Sequence, residues 1–183
     1  MALYLTGNTS NITIDSTSGI TFPNSTLQAV AAQTGPSFSA TSNANQTITS
    51  NTFTLVSLQT KNWDTATAFN NTGSTATLNG ISTPAYAFAP PVAGYYQLNF
   101  SIDSGGSTSP TRAIASVYKN GSAYRYGGNL TVTTAFGNGG SSFVYLNGTS
   151  DYIQMYAYIT ASTAIVGNVA AQTYFEAVLA RVA

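Results

Sequence analysis

The acidic side chains are the groups in this sequence best suited to general acid–base catalysis, since histidine and cysteine are both absent. The five acidic residues are Asp15, Asp64, Asp103, Asp151 and Glu176. Cleavage of glycosidic bonds usually requires two carboxyl groups on either side of the scissile bond, and no two of these residues are close in sequence. Without histidine and cysteine, the sequence has no thiol nucleophile, no imidazole base for a Ser-His-Asp triad and none of the usual nitrogen or sulfur ligands of zinc. The sequence therefore predicts a protein that is not an enzyme and needs no cofactor.

Charge is scarce throughout the chain: 5% of the 183 residues are charged and the formal net charge is zero, whereas about 25% is usual. The five basic residues, which are Lys61, Arg112, Lys119, Arg125 and Arg181, are scattered. Binding to nucleic acid or to an anionic membrane needs clustered basic residues, and no apolar run is long enough to cross a bilayer. We expect no nucleic-acid partner and no membrane insertion.

These scattered groups must be positioned by β-strands, because alternating patterns dominate the sequence. The predicted strands are 52–58, 94–102, 112–118, 142–146, 151–159 and 173–179. The predicted turns are Asn120-Gly121, Gly127-Gly128, Asn138-Gly139 and Asn147-Gly148. Many short strands with regular turns are typical of an antiparallel β-sandwich or jelly roll.

The strand at 94–102 shows the pattern most clearly. One face is formed by Tyr96, Leu98, Phe100 and Ile102, and all four side chains are apolar. Successive side chains of a strand point to opposite faces, so this set is expected to pack between two sheets.

The first 35 residues differ from the rest, because Asp15 is their only charge and they hold two short alternating pieces, at 11–15 and 19–22. They contain too few apolar residues to form a core. We expect residues 1–35 to form an N-terminal arm that docks onto another protein, with a plain flexible terminus as the alternative. Residues 36–183 are expected to form the globular domain.

From residue 36 onward the chain resembles the C1q-like domain, a jelly roll shared with the tumour-necrosis-factor family. The matching pieces are Phe38-Ser39-Ala40 with 45–48, Tyr86–Pro90 with Gly94–Leu98, Ala115–Ser122, 144–146 with 151–153, and Tyr174–Leu179. Leu98 stands where the family usually has Phe. The resemblance implies an all-β, antiparallel jelly-roll sandwich of about ten strands that assembles into a homotrimer.

Segments 142–146 and 173–179 carry large apolar side chains on both faces, so that one set is left over when the other is buried. The residues expected at the trimer interface are Tyr95, Phe143, Tyr145, Tyr174 and Val178. Three copies of Glu176 near the three-fold axis would need a cation, protonation or separation.

Two other groups of aromatic residues are candidate contacts for a receptor or glycan. The resemblance places the strand at 151–159 on the outer sheet, where Tyr152, Tyr156 and Tyr158 form a stripe suited to sugar or protein contact. Packing beneath a loop or a neighbouring subunit is the alternative. The second group, predicted in loops, consists of Trp63 and of Tyr124-Arg125-Tyr126 before Gly127-Gly128. For Tyr124-Arg125-Tyr126, the alternative is a hairpin whose tyrosines cover the sheet edge.

Two acidic residues have structural interpretations. Asp151 stands where the family has an acidic residue in a turn before a strand. Asp103 precedes Ser104-Gly105-Gly106. Because calcium sites occur in relatives of this fold, the segment is a candidate calcium site, and a simple turn is the alternative.

The arm indicates the setting in which the domain works. Residues 12–15 and 19–28 resemble short segments of tailed-phage structural proteins. The resemblance implies a virion surface protein, either a short trimeric fibre or knob that binds host-surface carbohydrate or another receptor, or a capsid decoration protein whose arm staples shell subunits. The expected partners are two further copies of the chain and other virion proteins bound through residues 1–35.

Overall fold

The structure, a computed structural model, describes residues 20–21, 27–28, 35–131 and 137–183. The chain divides into two units, residues 1–34 and residues 35–183. In the first unit, β1 (Ile20–Thr21) pairs antiparallel with β2 (Leu27–Gln28). The alternating piece at 11–15 lies outside the described residues, as does most of the segment that carries the resemblance to phage proteins.

The second unit is built from short strands joined by turns. In chain order they are β3 (Ser37–Thr41), β4 (Gln46–Ile48), β5 (Thr54–Leu55), β6 (Thr60–Asp64), β7 (Ala76–Leu78), β8 (Ile81–Thr83), β9 (Ala87–Phe88), β10 (Gly94–Asp103), β11 (Arg112–Lys119), β12 (Ser122–Tyr126), β13 (Leu130–Thr131), β14 (Gly137–Leu146), β15 (Ile153–Thr160), β16 (Ala164–Val166) and β17 (Tyr174–Val182).

Two antiparallel sheets form the body of this unit. Sheet I has five strands in the order β14-β10-β17-β3-β6. Sheet II has six strands, with the order β12-β11-β15-β5, while β13 pairs with β11 and β9 pairs with β15. The remaining described strands of this unit form two two-stranded sheets, β16-β4 and β7-β8. The architecture confirms the predicted antiparallel sandwich, and its two main sheets have close to the expected number of strands.

The core lies between the inner faces of the two sheets. As predicted, Tyr96, Leu98, Phe100 and Ile102 of β10 are all buried. From sheet II, alternate residues of β15 from Ile153 to Ile159 face them and are fully buried. Aromatic rings fill the middle of the core: Phe38 stacks on Phe69 and Phe88, with ring centroids 4.6 Å and 4.5 Å away. The period-two pattern thus places one face of each long strand in the core.

The turn at Asn120-Gly121 is confirmed. Both residues have positive φ, 51° and 77°, as a tight hairpin between β11 and β12 requires. The turn predicted at Asn138-Gly139 is wrong, because both residues lie inside β14. Gly139 is needed there for close approach: a Cβ atom at this position would lie 2.3 Å from the carbonyl oxygen of Phe100.

The strand predicted at 52–58 is much shorter in the structure, where only Thr54–Leu55 pairs with β15. Val56 and Leu58 still enter the core, so the segment is extended and buried on one side without a full ladder of hydrogen bonds. The described part of the chain contains no helix that is long and apolar enough to span a membrane.

Candidate interaction surfaces

The outward face of sheet I exposes a band of large apolar side chains. Cross-strand register aligns Phe143, Gln97 and Val178 in one row, and Tyr145 beside Tyr95 in the next. The exposed members are Tyr95 (49%), Phe143 (57%), Tyr145 (41%) and Val178 (48%). The rings of Tyr95 and Tyr145 touch each other, with centroids 5.5 Å apart. Tyr174, the fifth residue predicted for an interface, lies on the same face and is half-buried.

Trp63 belongs to this face as well, which corrects its prediction as a loop residue. It lies in β6, at the edge of sheet I, paired with Ser39 of β3. Its side chain is 49% exposed and lines a hollow of about 180 Å³ together with Gln97, Glu176 and Val178. The edge pairing was hidden from sequence reasoning because Lys61, Asn62 and Asp64 around Trp63 read as a polar loop. We name the set Trp63, Tyr95, Phe143, Tyr145 and Val178 the apolar face.

Next to the apolar face, sheet I carries a polar depression. It has a volume of about 580 Å³, and its lining includes Asn62, Asn99, Tyr174 and Glu176. Glu176 accepts a hydrogen bond of 2.9 Å from the Ser39 hydroxyl, and the Asn62 amide donates to the same hydroxyl over 3.0 Å. The Glu176 carboxylate, which would meet its copies if it lay near a three-fold axis, is thus held by a neutral hydroxyl within its own chain.

The outward face of sheet II is partly covered. Alternate residues of β15 face the core, as predicted, and the opposite residues Tyr156 and Tyr158 are half-buried. Tyr152 is half-buried in the turn before the strand. Gln154 is buried and donates to the carbonyl of Ala85 over 2.7 Å. The alternative of packing beneath a loop thus accounts for part of this face.

Phe53 packs against one end of the stripe, at Tyr158. It precedes β5, and its ring lies 5.0 Å from Tyr158, 5.3 Å from Tyr126 and 6.1 Å from Tyr118. Tyr118 in turn stacks on Tyr156 at 3.9 Å. We name these five residues, Phe53, Tyr118, Tyr126, Tyr156 and Tyr158, the aromatic platform.

Burial and neighbouring phenols change the acidity of two platform residues. Burial raises the pKa of Tyr118, and the nearby hydroxyls of Tyr126 and Tyr156 raise it further. The pKa of Tyr156 is raised by burial and then by Tyr152. Both hydroxyls therefore stay protonated, and able to donate hydrogen bonds, well above neutral pH.

Arg112 stands at one end of the platform. Its guanidinium lies over the ring of Tyr158, 5.2 Å from the centroid, and its Nε donates to Asn129 over 2.8 Å. Asn51 closes the same end: its side-chain oxygen accepts from the hydroxyls of Tyr158 and Thr160.

The group Tyr124-Arg125-Tyr126 lies in β12 rather than in a loop, and β12 forms a hairpin with β11. Its members separate: the Tyr124 hydroxyl donates to the carbonyl of Phe143 in sheet I, whereas Tyr126 joins the platform. Arg125 folds back over Tyr124, 4.4 Å from its ring centroid. The bulge in the pairing of β11 with β12 explains why neighbouring aromatic residues part in this way.

The described acidic residues are engaged in structural contacts. Asp151 forms an ion pair with Lys119 at 2.9 Å and accepts a hydrogen bond from Asn120. Burial alone would raise the pKa of Asp151, but the contacts with Asn120, Lys119 and Asn147 outweigh it and lower the pKa. Asp64 pairs with Lys61 and accepts two backbone N–H groups.

Asp103 is buried, and its carboxylate accepts the N–H of Gly105 over 2.7 Å. The carboxylate also packs against Gly167, where a Cβ atom would lie 2.2 Å from it. This geometry supports the simple turn. Among residues 35–131 and 137–183, no three potential metal ligands come together.

Sequence reasoning missed three members of the sheet II surface, namely Phe53, Tyr118 and Arg112. Phe53 is contributed by a segment far along the chain from its partners. Tyr118 was detectable, because it lies on a strand whose partner carries the tyrosine stripe, but only the register of β11 with β15 places it beside Tyr156.

Comparisons with known proteins agree with this architecture at the level of fold. No family model matches the chain, and no curated protein matches it. The chain is similar to the tumour necrosis factor Eiger from S. frugiperda, with a TM-score of 0.56 and 8% identity over 81% of this chain and 93% of that one. It is also similar to murine APRIL at pH 5.0, with a TM-score of 0.53 and 11% identity over 79% of this chain and 98% of that one. The chain has the antiparallel jelly-roll fold of these tumour-necrosis-factor-like proteins.

Proposed function

We propose that this protein is a non-enzymatic, homotrimeric binding module displayed on the surface of a virion. The observation that carries the proposal is the apolar face of sheet I. Five large apolar side chains are 41–57% exposed on one side of one sheet, and they span about 19 Å at the usual distance between strands. Exposed apolar patches of this kind mark interaction sites, and the jelly-roll fold suggests that two further copies of the chain cover this one.

The three-fold arrangement gives the module its mode of binding. With sheet I turned inward, sheet II is the surface that each subunit presents outward. Three copies of one weak site in a knob, and many knobs on a particle, multiply a low affinity by avidity. We infer that the ligand is a glycan or another receptor on the host surface.

The proposed setting, a tailed-phage particle, rests on the sequence of residues 1–35. The arm is proposed to dock onto another virion protein. Deleting residues 1–35 should leave a folded trimer that no longer joins the particle. A truncated protein that is still incorporated would contradict the role of the arm.

The alternative is a capsid decoration protein, in which the same trimer reinforces the shell. Particles that lack the protein distinguish the two functions. Loss of adsorption to cells supports the fibre or knob. Fragile particles with normal adsorption support decoration and contradict receptor binding.

A non-enzymatic role is supported by the engagement of the described carboxylates. Asp64, Asp103 and Asp151 each accept hydrogen bonds that stabilise a turn or loop. Incubation of the protein with a polysaccharide that it binds should release no new reducing ends, and their appearance would overturn this part of the proposal.

A further inference from the structure

We propose that the aromatic platform and Arg112 together form a binding site for a carboxylated polysaccharide. This inference rests on the proposed function and narrows its ligand from glycans in general to acidic ones. It concerns a site on sheet II whose central residue, Phe53, and whose cation, Arg112, come from different parts of the chain.

The platform offers ring faces and free hydroxyls side by side. Phe53 contacts three tyrosines at ring distances of 5.0–6.1 Å, which fixes their orientation before any ligand arrives. Tyr126 is the most exposed member, at 58%. The hydroxyls of Tyr118, Tyr126 and Tyr156 have no hydrogen-bond partner among the described residues, and none of them is a buried unsatisfied atom. An apolar ring with a free hydroxyl at its edge matches the alternating apolar and polar surfaces of a sugar.

The length of the site favours a polymer over a small molecule. Arg112 and Tyr118 are six residues apart on β11, which is about 20 Å at the usual rise of an extended strand. The row from Arg112 through Tyr158 and Phe53 to Tyr118 is continuous, with each member touching the next. Several sugar units could lie along such a row.

Charge complementarity identifies the class of sugar. In the described part of the chain, Arg112 forms no ion pair, and the one hydrogen bond of its side chain there, from Nε to Asn129, leaves the two terminal nitrogens available. The four acidic residues of the described part are engaged elsewhere. Asp151 is paired with Lys119 at the opposite end of β11, and Asp64 is paired with Lys61 on β6. Glu176 is on sheet I, and Asp103 is buried with its carboxylate bound to the N–H of Gly105. A guanidinium without a carboxylate, stacked on a tyrosine at the end of an aromatic row, favours a ligand that supplies the carboxylate.

The test measures binding of the full chain to a panel of carboxylated polysaccharides: polygalacturonate, alginate, hyaluronate and polysialic acid. Each is compared with its methyl-esterified form, which keeps the sugar rings and removes the charge. We expect at least one acidic polymer to bind, and to bind less tightly after esterification. Affinity should also fall between about 0.1 M and about 1 M salt, as the Debye length shrinks from about 10 Å to about 3 Å.

Variants assign the binding to this site. Arg112→Gln should weaken binding about tenfold or more, since it removes a charge-assisted hydrogen bond, and Arg112→Lys should restore part of the affinity. Arg181→Gln is the control for loss of a positive charge, because Arg181 is exposed, forms no ion pair among the described residues and belongs to β17 of sheet I. Since Arg181 pairs with Tyr95 of the apolar face, the native mass of this variant is measured alongside its binding. Tyr126→Ser tests the rings independently of the charge.

The outcomes separate this inference from the function on which it rests. Equal binding of acidic and esterified polymers, or equal binding by Arg112→Gln and wild type, would overturn the acidic-glycan site while leaving receptor binding by the trimer intact. Binding to neutral glycans alone has the same meaning. Failure to bind any glycan or cell surface would overturn both.

Discussion

Phe143 provides the sharpest mutational test of the interface proposed on sheet I. Its side chain is 57% exposed, so that burial between subunits would remove roughly half of a phenylalanine from water. Full burial of such a side chain contributes roughly 1.5–3 kcal/mol, and the part still exposed therefore contributes about 1–1.5 kcal/mol per copy. Three copies give about 3–4.5 kcal/mol, which corresponds to roughly a 10²- to 10³-fold change in the trimer association constant.

Phe143→Ser should therefore shift trimer dissociation to a protein concentration about 10- to 30-fold higher, because the midpoint of a monomer–trimer equilibrium scales with the square root of the association constant. The assay is light scattering or sedimentation over a dilution series. Tyr126→Ser is the matched control, because Tyr126 is 58% exposed but lies on sheet II. Neither ring belongs to the core between the sheets, so both variants are expected to fold. Identical dilution curves for Phe143→Ser and wild type would refute the assignment of the interface to this face.

Four further predictions concern stability. The melting temperature should change little with salt, because only two ion pairs occur in the described part of the chain; a large shift in a salt titration would show that charges matter more than the structure indicates. The pKa of Asp151 is lowered in the folded state, so its contribution to folding stability is complete above the unfolded pKa of about 4 and is lost as pH falls through the folded-state pKa. The stability of Asp151→Asn in acid should accordingly depend less on pH than that of wild type. Burial raises the pKa of Tyr96 and Tyr118 in the folded state, so their contribution to folding stability is complete below the unfolded pKa of about 10 and is lost as pH rises through their folded-state pKa values. Tyr118→Phe should therefore flatten the alkaline branch of a stability–pH curve. An unchanged branch would contradict the raised pKa of Tyr118. Gly139→Ala should lower the free energy of unfolding by about 1–3 kcal/mol through overpacking against the carbonyl of Phe100, whereas Gly137→Ala on the same strand meets only atoms at 3.7 Å or beyond and should be nearly neutral in denaturant titration.

The parts of the fold that could be predicted from the sequence are those governed by local rules. Alternation in β10 determines which side chains are buried, because a shift by one residue would expose the whole apolar set. Asn120-Gly121 forms the expected hairpin turn because these two residue types tolerate positive φ. The excess of large apolar residues in β14 and β17 likewise predicts a second apolar surface, and the structure places them together on sheet I.

The errors arise where distant segments meet. Asn138-Gly139 has the local signature of a turn, yet the strand continues through it because both residues pair with β10. Glycine is required at position 139 because β10 approaches too closely for a side chain there. Trp63 lies on a short polar stretch that becomes a strand only by pairing with β3. Phe53 packs against tyrosines that are far from it in sequence. No local pattern encodes such pairings, so the candidate surfaces could be predicted only as separate pieces.

The central claim is that three copies of the chain bury the apolar face of sheet I, and the native mass of the intact chain tests it most directly. We expect light scattering to give three times 19.0 kDa, and we expect Tyr95 and Tyr145 of the apolar face to be protected from labelling by reagents in solution. A monomer of 19.0 kDa whose Tyr95 and Tyr145 react as freely as exposed tyrosines would contradict it.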